Sequence, residues 1–515
     1  MTPIDYVIVV VYLAVIAGIG LAFARGQETA QQYFLADRRV PQWAVGFTLM
    51  ATLISSNTLV AHPAIVYQKG MILVPGFVVM PFVLVFVALV VVPYYRRVVG
   101  MSAYEFIGER FGLTGQFYTA FGFLMSRTFG IAVALLTTSI AVNVMTGWPL
   151  PGIVIGLGAF TMIYTMIGGI TAVVWTDFAQ GLLLMAGGIL ILLRLLFAPE
   201  AGPAFAVVGE ALGGGRFGLG SFDASPETLF DPNDRTVYMF MLAMTVQWSR
   251  RYICDQAMVQ RYLIAGSTRA AVRGTLTGAA LSIPVLLTFN LIGACLYGFF
   301  ALTGFDEPAV GDHVLPYFVV NYMPSGFIGL MLAAVLAASM SSISSDLNSI
   351  ATVSTRDYLK RFFPGLTDRA EIVAGRIAVV VAGVAAAYVG VLLIPTEQAT
   401  PLAERALVIT VIVSSGVLGL FCLGFLTRRA TRRGCYIGIA ASILFTLWAV
   451  LTEPATRAVD LGPLNFELNA ILIGILSHVV LFVVGYMASL VAGGYRPSDA
   501  TLDRLQLFPA ARTRR

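Results

Sequence analysis

Apolar runs of about twenty residues, cut by short polar joints, repeat from one end of the chain to the other. Thirteen are readable: 4–24, 41–67, 72–95, 117–147, 150–169, 173–198, 234–256, 270–301, 325–356, 372–394, 402–426, 435–452 and 467–493. A helix rises 1.5 Å per residue, so a run of about twenty residues spans the ~30 Å hydrocarbon core of a bilayer. The residue-by-residue alternation of a membrane barrel strand does not occur in these runs. The pattern predicts an all-α polytopic membrane protein of about thirteen transmembrane helices with no soluble domain. The longest joint, 199–233, is Gly-rich with scattered acids.

Two runs break the pattern. In "WAVGFTLMATLISSNTLVAHPAIVY" the apolar sequence is interrupted at Ser55–Thr58 and again at His62–Pro63. In "RTVYMFMLAMTVQWSRRYICDQAMVQRYL" about thirteen apolar residues run before Gln247 and Arg250–Arg251 intervene. These are the second and seventh runs, hence the first and sixth of ten if the opening run is set apart. A 5+5 inverted repeat puts its two discontinuous helices at those places. The division that follows is an extra helix and inner loop at 1–40, a first repeat at 41–198 and an outer loop at 199–233. A second repeat occupies 234–427, two further helices 428–495, and a tail 496–515.

Composition agrees: of 515 residues, 58% are hydrophobic and 11% charged, where a soluble protein carries about 25% charged residues. The net charge of +5 is compatible with nucleic-acid binding, but its placement argues against that. Basic residues cluster in alternate joints: Arg25, Arg38, Arg39; Arg96, Arg97, Arg110; Arg261, Arg269, Arg273; Arg356, Lys360, Arg361, Arg369; Arg428, Arg429, Arg432, Arg433; and Arg512, Arg514, Arg515. The other joints hold Glu200, Glu210, Asp223, Asp306, Glu307, Asp312, Glu397 and Glu453. With thirteen spans all the basic joints share one side, which predicts an inner-membrane protein with its N-terminus outside and its C-terminus in the cytoplasm. Cleavage of a signal peptide is not expected, because Asp5 precedes the first run and Arg25 closes it. Cys254, Cys295, Cys422 and Cys435 show neither disulfide nor metal spacing. His62, His313 and His478 show no ligand spacing either.

Candidate chemistry concentrates in "AASMSSISSDLNSIATVSTRDY", which begins at Ala337 inside an apolar span. As a helix it places Ala338, Ser341, Ser342 and Ser345 on one face, with Ser344 beside it. Hydroxyls on one face, next to carbonyls left free by a broken partner, offer the hard neutral oxygens that suit Na⁺. Close helix packing is the alternative use of such small polar residues. Asp177, in "GGITAVVWTDFAQGLLL", lies about four residues into its span, where it serves an ion, a partner or the headgroup boundary. Arg127 lies about ten residues into the fourth span, roughly 15 Å deep, and should face an acid or an anionic substrate. Arg250 and Arg251 serve either as topology charges or as the lining of the second break, beside Trp248 and Tyr252.

These residues resemble the sodium/solute symporter family in "SMSSISSDLNSIATVSTRDY", "GGITAVVWTDFAQ", "DQAMVQRYL" and "ATLISSNTLVAHPAIVY", in the family's order, over residues 1 to about 430. The resemblance implies a LeuT-type fold with one helix ahead of the ten core helices and two behind. It implies a sodium site from the carbonyls of Ala51, Ile54 and Ala338 with the hydroxyls of Ser341 and Ser342. A second sodium would use Asp177, Ser344 and Ser345. The first break is most similar to the sialic acid, monocarboxylate and multivitamin branch. That likeness implies substrate contacts from Ser55, Ser56 and Thr58, with Arg127, Arg251 and Tyr252 lining the cavity. Arg251 stands where sugar carriers place an aromatic ring, which favours an anion over a hexose. The expectation is a sodium-coupled importer of a small carboxylate working by alternating access. It would use one or two Na⁺ and no organic cofactor, and function as a monomer in the lipid bilayer with no nucleic-acid partner. A proton-coupled or sugar or amino-acid carrier on the same fold, and a transporter-like sensor, are the alternatives. No metal-ligand pair, nucleophile elbow or phosphate loop supports an enzyme.

Overall fold

The computed structural model describes residues 1–24, 27–225, 228–229, 236–308, 311–394, 415–454 and 457–508. The first helix, α1 (Pro3–Ala22), begins with Pro3 in its first turn and the Thr2 hydroxyl and Asp5 carboxylate closing its end. The next span is broken: α2 (Gln42–Leu53) and α3 (Ser56–Lys69) meet at 53°. There follow α4 (Val74–Val98), with a π-helical turn at 87–91, and α5 (Leu113–Thr146). The element α6 (Leu150–Leu196) covers 47 residues, about 70 Å if it were one straight helix, far longer than one crossing. It is divided at Gly169, whose φ of +58° and ψ of −160° belong to glycine alone. A Cβ there would stand 2.8 Å from the Tyr33 carbonyl. The predicted spans 150–169 and 173–198 are its two halves.

The second half of the chain begins with α7 (Val237–Cys254) and α8 (Gln256–Leu263), separated by Asp255. Then come α9 (Thr268–Thr303), α10 (Phe327–Val353, continued by π turns), α11 (Asp368–Leu392), α12 (Val417–Leu426), α13 (Arg432–Thr452) and α14 (Ile471–Ala492). Polar side chains accept the free N–H groups at several starts: Thr236 on α7, Ser267 on α9, Thr367 on α11 and Thr431 on α13. Leucine, valine and phenylalanine side chains such as Val10, Phe82, Val381 and Leu444 face outward, as a lipid-contacting surface requires. In α10, by contrast, 89% of the most apolar window is buried, so the serine-rich helix is the central one. It packs against α1, α5, α6 and α11.

Several sequence expectations change. The seventh span does not break at Gln247 or Arg250–Arg251: α7 stays helical through both and ends at Cys254. The interruption comes at Asp255, whose carboxylate accepts the Ala257 N–H and caps α8. Arg110 and Arg261 are not joint charges. Both are fully buried, Arg110 donating to the Thr427 carbonyl, because a neighbouring helix supplies each with an acceptor. The stretch 199–233 carries an eight-residue helix, Ala206–Gly213, laid on α9. Among the described residues nine helices are long and apolar enough to cross a membrane, ten with α2–α3 taken as one span. Thirteen crossings would further require α6 to cross twice, α7–α8 once and 402–426 once. Residues 402–414 of that last span, with Arg25, Glu397, Arg512, Arg514 and Arg515, lie outside the described residues.

Candidate functional site

The break after Leu53 leaves the last carbonyls of α2 without a following helical turn. Two are taken by other helices. Ser341 on α10 donates to the Ala51 carbonyl at 3.2 Å, and Arg251 on α7 donates to the Thr52 carbonyl at 3.3 Å. Ser341 lies equally 3.2 Å from the Ala338 carbonyl, and Ser342 reaches the same carbonyl at 3.5 Å. These contacts are longer than the ~2.7–2.8 Å usual between hydroxyl and oxygen. They gather hydroxyl and carbonyl oxygens of the kind a hard cation takes. Ala51, Ile54, Ala338, Ser341 and Ser342 are all buried, so this neutral oxygen set lies in the interior.

One turn further along α10, Ser345 meets a second polar set. Asp177, on the second half of α6, is fully buried; its Oδ2 accepts from the Thr48 hydroxyl at 2.5 Å and from Ser345 at 3.3 Å. The Thr52 hydroxyl stands 3.0 Å from Ser345 Oγ and donates to the Thr48 carbonyl at 2.6 Å. Arg261 on α8 reaches the same point: its Nη2 donates to Ser345 Oγ at 2.5 Å and lies 3.7 Å from Asp177 Oδ2. Ser344 turns to its own helix, donating to the Ser341 carbonyl at 3.1 Å.

A third set surrounds the second break. Arg127 on α5 hydrogen-bonds Asp255 and lies 3.5 Å from Asp346 on α10. Arg251 pairs with the same Asp255 at 2.7 Å. Thus three arginines (127, 251, 261) stand against three aspartates (177, 255, 346), and the formal charges cancel. Arg250 makes no ion pair among the described residues; its Nε approaches only Gln247, at 3.4 Å. With Arg127, Ser126, Phe123, Cys254 and Asp255 it lines a narrow cleft of about 30 Å³ between α5, α7 and α12.

The structure brings Arg127 and Arg251 together through Asp255. It does not bring Ser55, Ser56 and Thr58 into the cleft lined by Arg127. Ser56 donates to the Ala134 carbonyl at 3.3 Å, and Thr58 is buried. Tyr252 is buried with its ring tilted against Trp248. Four participants were not singled out from sequence: Thr48, Thr52, Asp255 and Arg261. Asp255 and Arg261 share the motif "DQAMVQRYL", in which charged and amide side chains crowd an eight-residue helix that is buried throughout. Charges in so short an apolar setting are the available signal.

Against known proteins, the model of the sodium:solute symporter family matches residues 33–441. The sodium/sialic acid symporter NanT of Aliivibrio fischeri is 28% identical over 490 residues, 94% of this chain and 93% of its own length. SiaT of Proteus mirabilis, also a sodium/sialic acid symporter, is 28% identical over 451 residues, 87% of this chain and 89% of its own. Mouse sodium-coupled monocarboxylate transporter 1 is 27% identical over 462 residues, covering 86% and 72%. A solved Na⁺-coupled sialic acid symporter in a substrate-bound outward-open state superposes with a TM-score of 0.84 at 26% identity, over 95% of this chain and 98% of that one. Mhp1, a nucleobase-cation-symport-1 family transporter, shares the fold at a TM-score of 0.52 and 16% identity, over 91% of this chain and 94% of its own.

Proposed function

This chain belongs to the sodium:solute symporter family, and on that premise we propose that it imports a small carboxylate solute together with sodium by alternating access. The observation that carries the reading is the Ala51–Ala338–Ser341–Ser342 oxygen set, which joins the broken end of α2 to the central helix α10. Sodium held there, with the Ile54 carbonyl as a further ligand, ties the two elements together and steadies the form that receives solute. Asp177, Ser344 and Ser345 form a second cation place one turn away.

The solute class follows from charge. The three arginines and three aspartates of the ion-paired cluster cancel, so an added sodium leaves a surplus positive charge there that a carboxylate neutralises. Arg250, the cation of the cleft without an acidic partner among the described residues, supplies local attraction for it. Ser55 and Ser56 sit at the start of α3, and a helix N-terminus favours an anion. We place Ser55, Ser56, Thr58, Arg127, Arg251 and Tyr252 around the solute in the form that receives it. In that form Arg127 exchanges its carboxylate partners for that of the solute. No bond of the solute is made or broken, and no residue from a second copy is needed, so the carrier works as a monomer in the cell's inner membrane.

The test is uptake of labelled carboxylates, amino acids and sugars into proteoliposomes, in sodium and again in choline. Uptake of a carboxylate in sodium alone is the expected result; equal uptake in both salts would overturn sodium coupling. In the same assay Ser341→Ala should raise the sodium concentration for half-maximal uptake at least tenfold. The solute KM at saturating sodium should change less than threefold. Wild-type sodium affinity in that variant would remove Ser341 from the site.

A further inference from the structure

The second cation place already faces a cation belonging to the chain itself. Arg261 is fully buried, and its Nη2 is 2.5 Å from Ser345 Oγ and 3.7 Å from Asp177 Oδ2. Ser345 is thereby committed twice: its oxygen accepts from the guanidinium, and its proton points to Asp177 at 3.3 Å. A hydroxyl that ligates sodium must turn a lone pair to the ion; of the two on Ser345 one is taken by Arg261, and the Thr52 hydroxyl 3.0 Å away crowds the other. Neither partner of the pair is well satisfied. Nε and Nη1 of Arg261 and Oδ1 of Asp177 are buried with no hydrogen-bond partner among the described residues. A guanidinium can offer five donors in a fixed fork and here one of them is well used. The contact is a loose neutralisation, close enough to balance charge and too poorly bonded to be a permanent lock.

We infer that Arg261 is a tethered competitor of sodium: the second ion reaches Asp177 and Ser345 only by displacing the guanidinium from them. The inference rests on the reading of Asp177, Ser344 and Ser345 as a cation place. Arg261 sits on α8, the inner half of the second broken span, which packs against α2 and α10. A movement of that half-helix therefore carries the competitor toward or away from the place. While the guanidinium is seated, Asp177 is charge-balanced and has little pull on a further cation. Once it withdraws, Asp177 is a buried carboxylate in need of one. The first place, at Ser341 and Ser342, receives no hydrogen bond from Arg261 and binds independently of it. Two sodium affinities follow, a strong one at the first place and a weaker one set by Arg261 at the second.

The experiment is direct binding of radioactive sodium to the purified full chain, which reads the ion places without requiring the solute. Wild type should give two phases. Arg261→Gln should move the weaker phase at least tenfold toward lower sodium and leave the stronger within threefold. If Arg261→Gln does not fold, Arg261→Lys serves: the shorter, compact ammonium lacks the fork, and the weaker phase should strengthen at least threefold. Adding Asp177→Asn to either variant should abolish that phase. An unchanged or weakened second phase in the folded Arg261 variant, or a single-phase isotherm in both wild type and variant, would overturn the inference. Two-phase binding with the expected shift but no sodium-dependent uptake would instead leave Arg261 as inferred and refute the transport reading.

Discussion

Arg250 and Arg251 are adjacent in sequence and meet opposite surroundings. Arg251 pairs with Asp255 one turn away and donates to the Thr52 carbonyl, so it ties α7 to the broken end of α2. Arg250 lies on the next face of the helix, in the cleft with Arg127. Its replacement by alanine removes a cation that makes no ion pair among the described residues. Arg250→Ala should raise the solute KM at least tenfold with little change in sodium affinity, measured by uptake at saturating sodium and by sodium binding. The serines of α10 were legible at this scale, because their spacing alone puts Ser341, Ser342 and Ser345 on one face. The role of Arg261 was not legible. A guanidinium after an apolar run reads as a joint charge until the carboxylate and hydroxyl that surround it are known, and both come from distant parts of the chain, Asp177 and Ser345.

At the scale of elements, the first break was visible as "ISSNT" within an apolar run, and the structure places α2's end and α3's start on either side of Ile54–Ser55. The second was put too early, because hydropathy responds to charged side chains and a helix does not. Gln247, Arg250 and Arg251 keep helical backbone, whereas Asp255 ends α7 by capping the next helix. Gly169 is a different kind of joint. Its φ and ψ are closed to other residues, and a side chain would strike the Tyr33 backbone. Gly169→Ala should cost about 1–3 kcal/mol, read as a lower melting temperature and lower folded yield in detergent. Wild-type stability in that variant would mean that the two halves of α6 can meet at another angle.

For the whole molecule, the alternation of basic and acidic joints makes a claim about sidedness that cysteine labelling in intact cells can check. The native cysteines are buried except Cys422, which is half-buried, so background reaction should be low. A cysteine at Glu210→Cys should react with an impermeant maleimide from outside, and one at Gly365→Cys only after permeabilisation; both positions are exposed. Labelling in the reverse order would invert the orientation. The buried charges bear on the same scale: three arginines and three aspartates, drawn from α5, α6, α7, α8, α10 and the second break, cancel only once the chain is folded.

A tethered guanidinium differs from a dissolved ion in one respect that matters to a carrier: its supply comes with the chain and does not follow the sodium concentration on either side. Sodium outside is plentiful and sodium inside is scarce. On the role inferred for Arg261, the bath would outcompete the tether in the outward-facing form and the ion would load; in the inward-facing form the tether would outcompete the bath and expel it. Arg261 would then act as a threshold, below which the carrier idles, and as the agent that empties it on the cytoplasmic side.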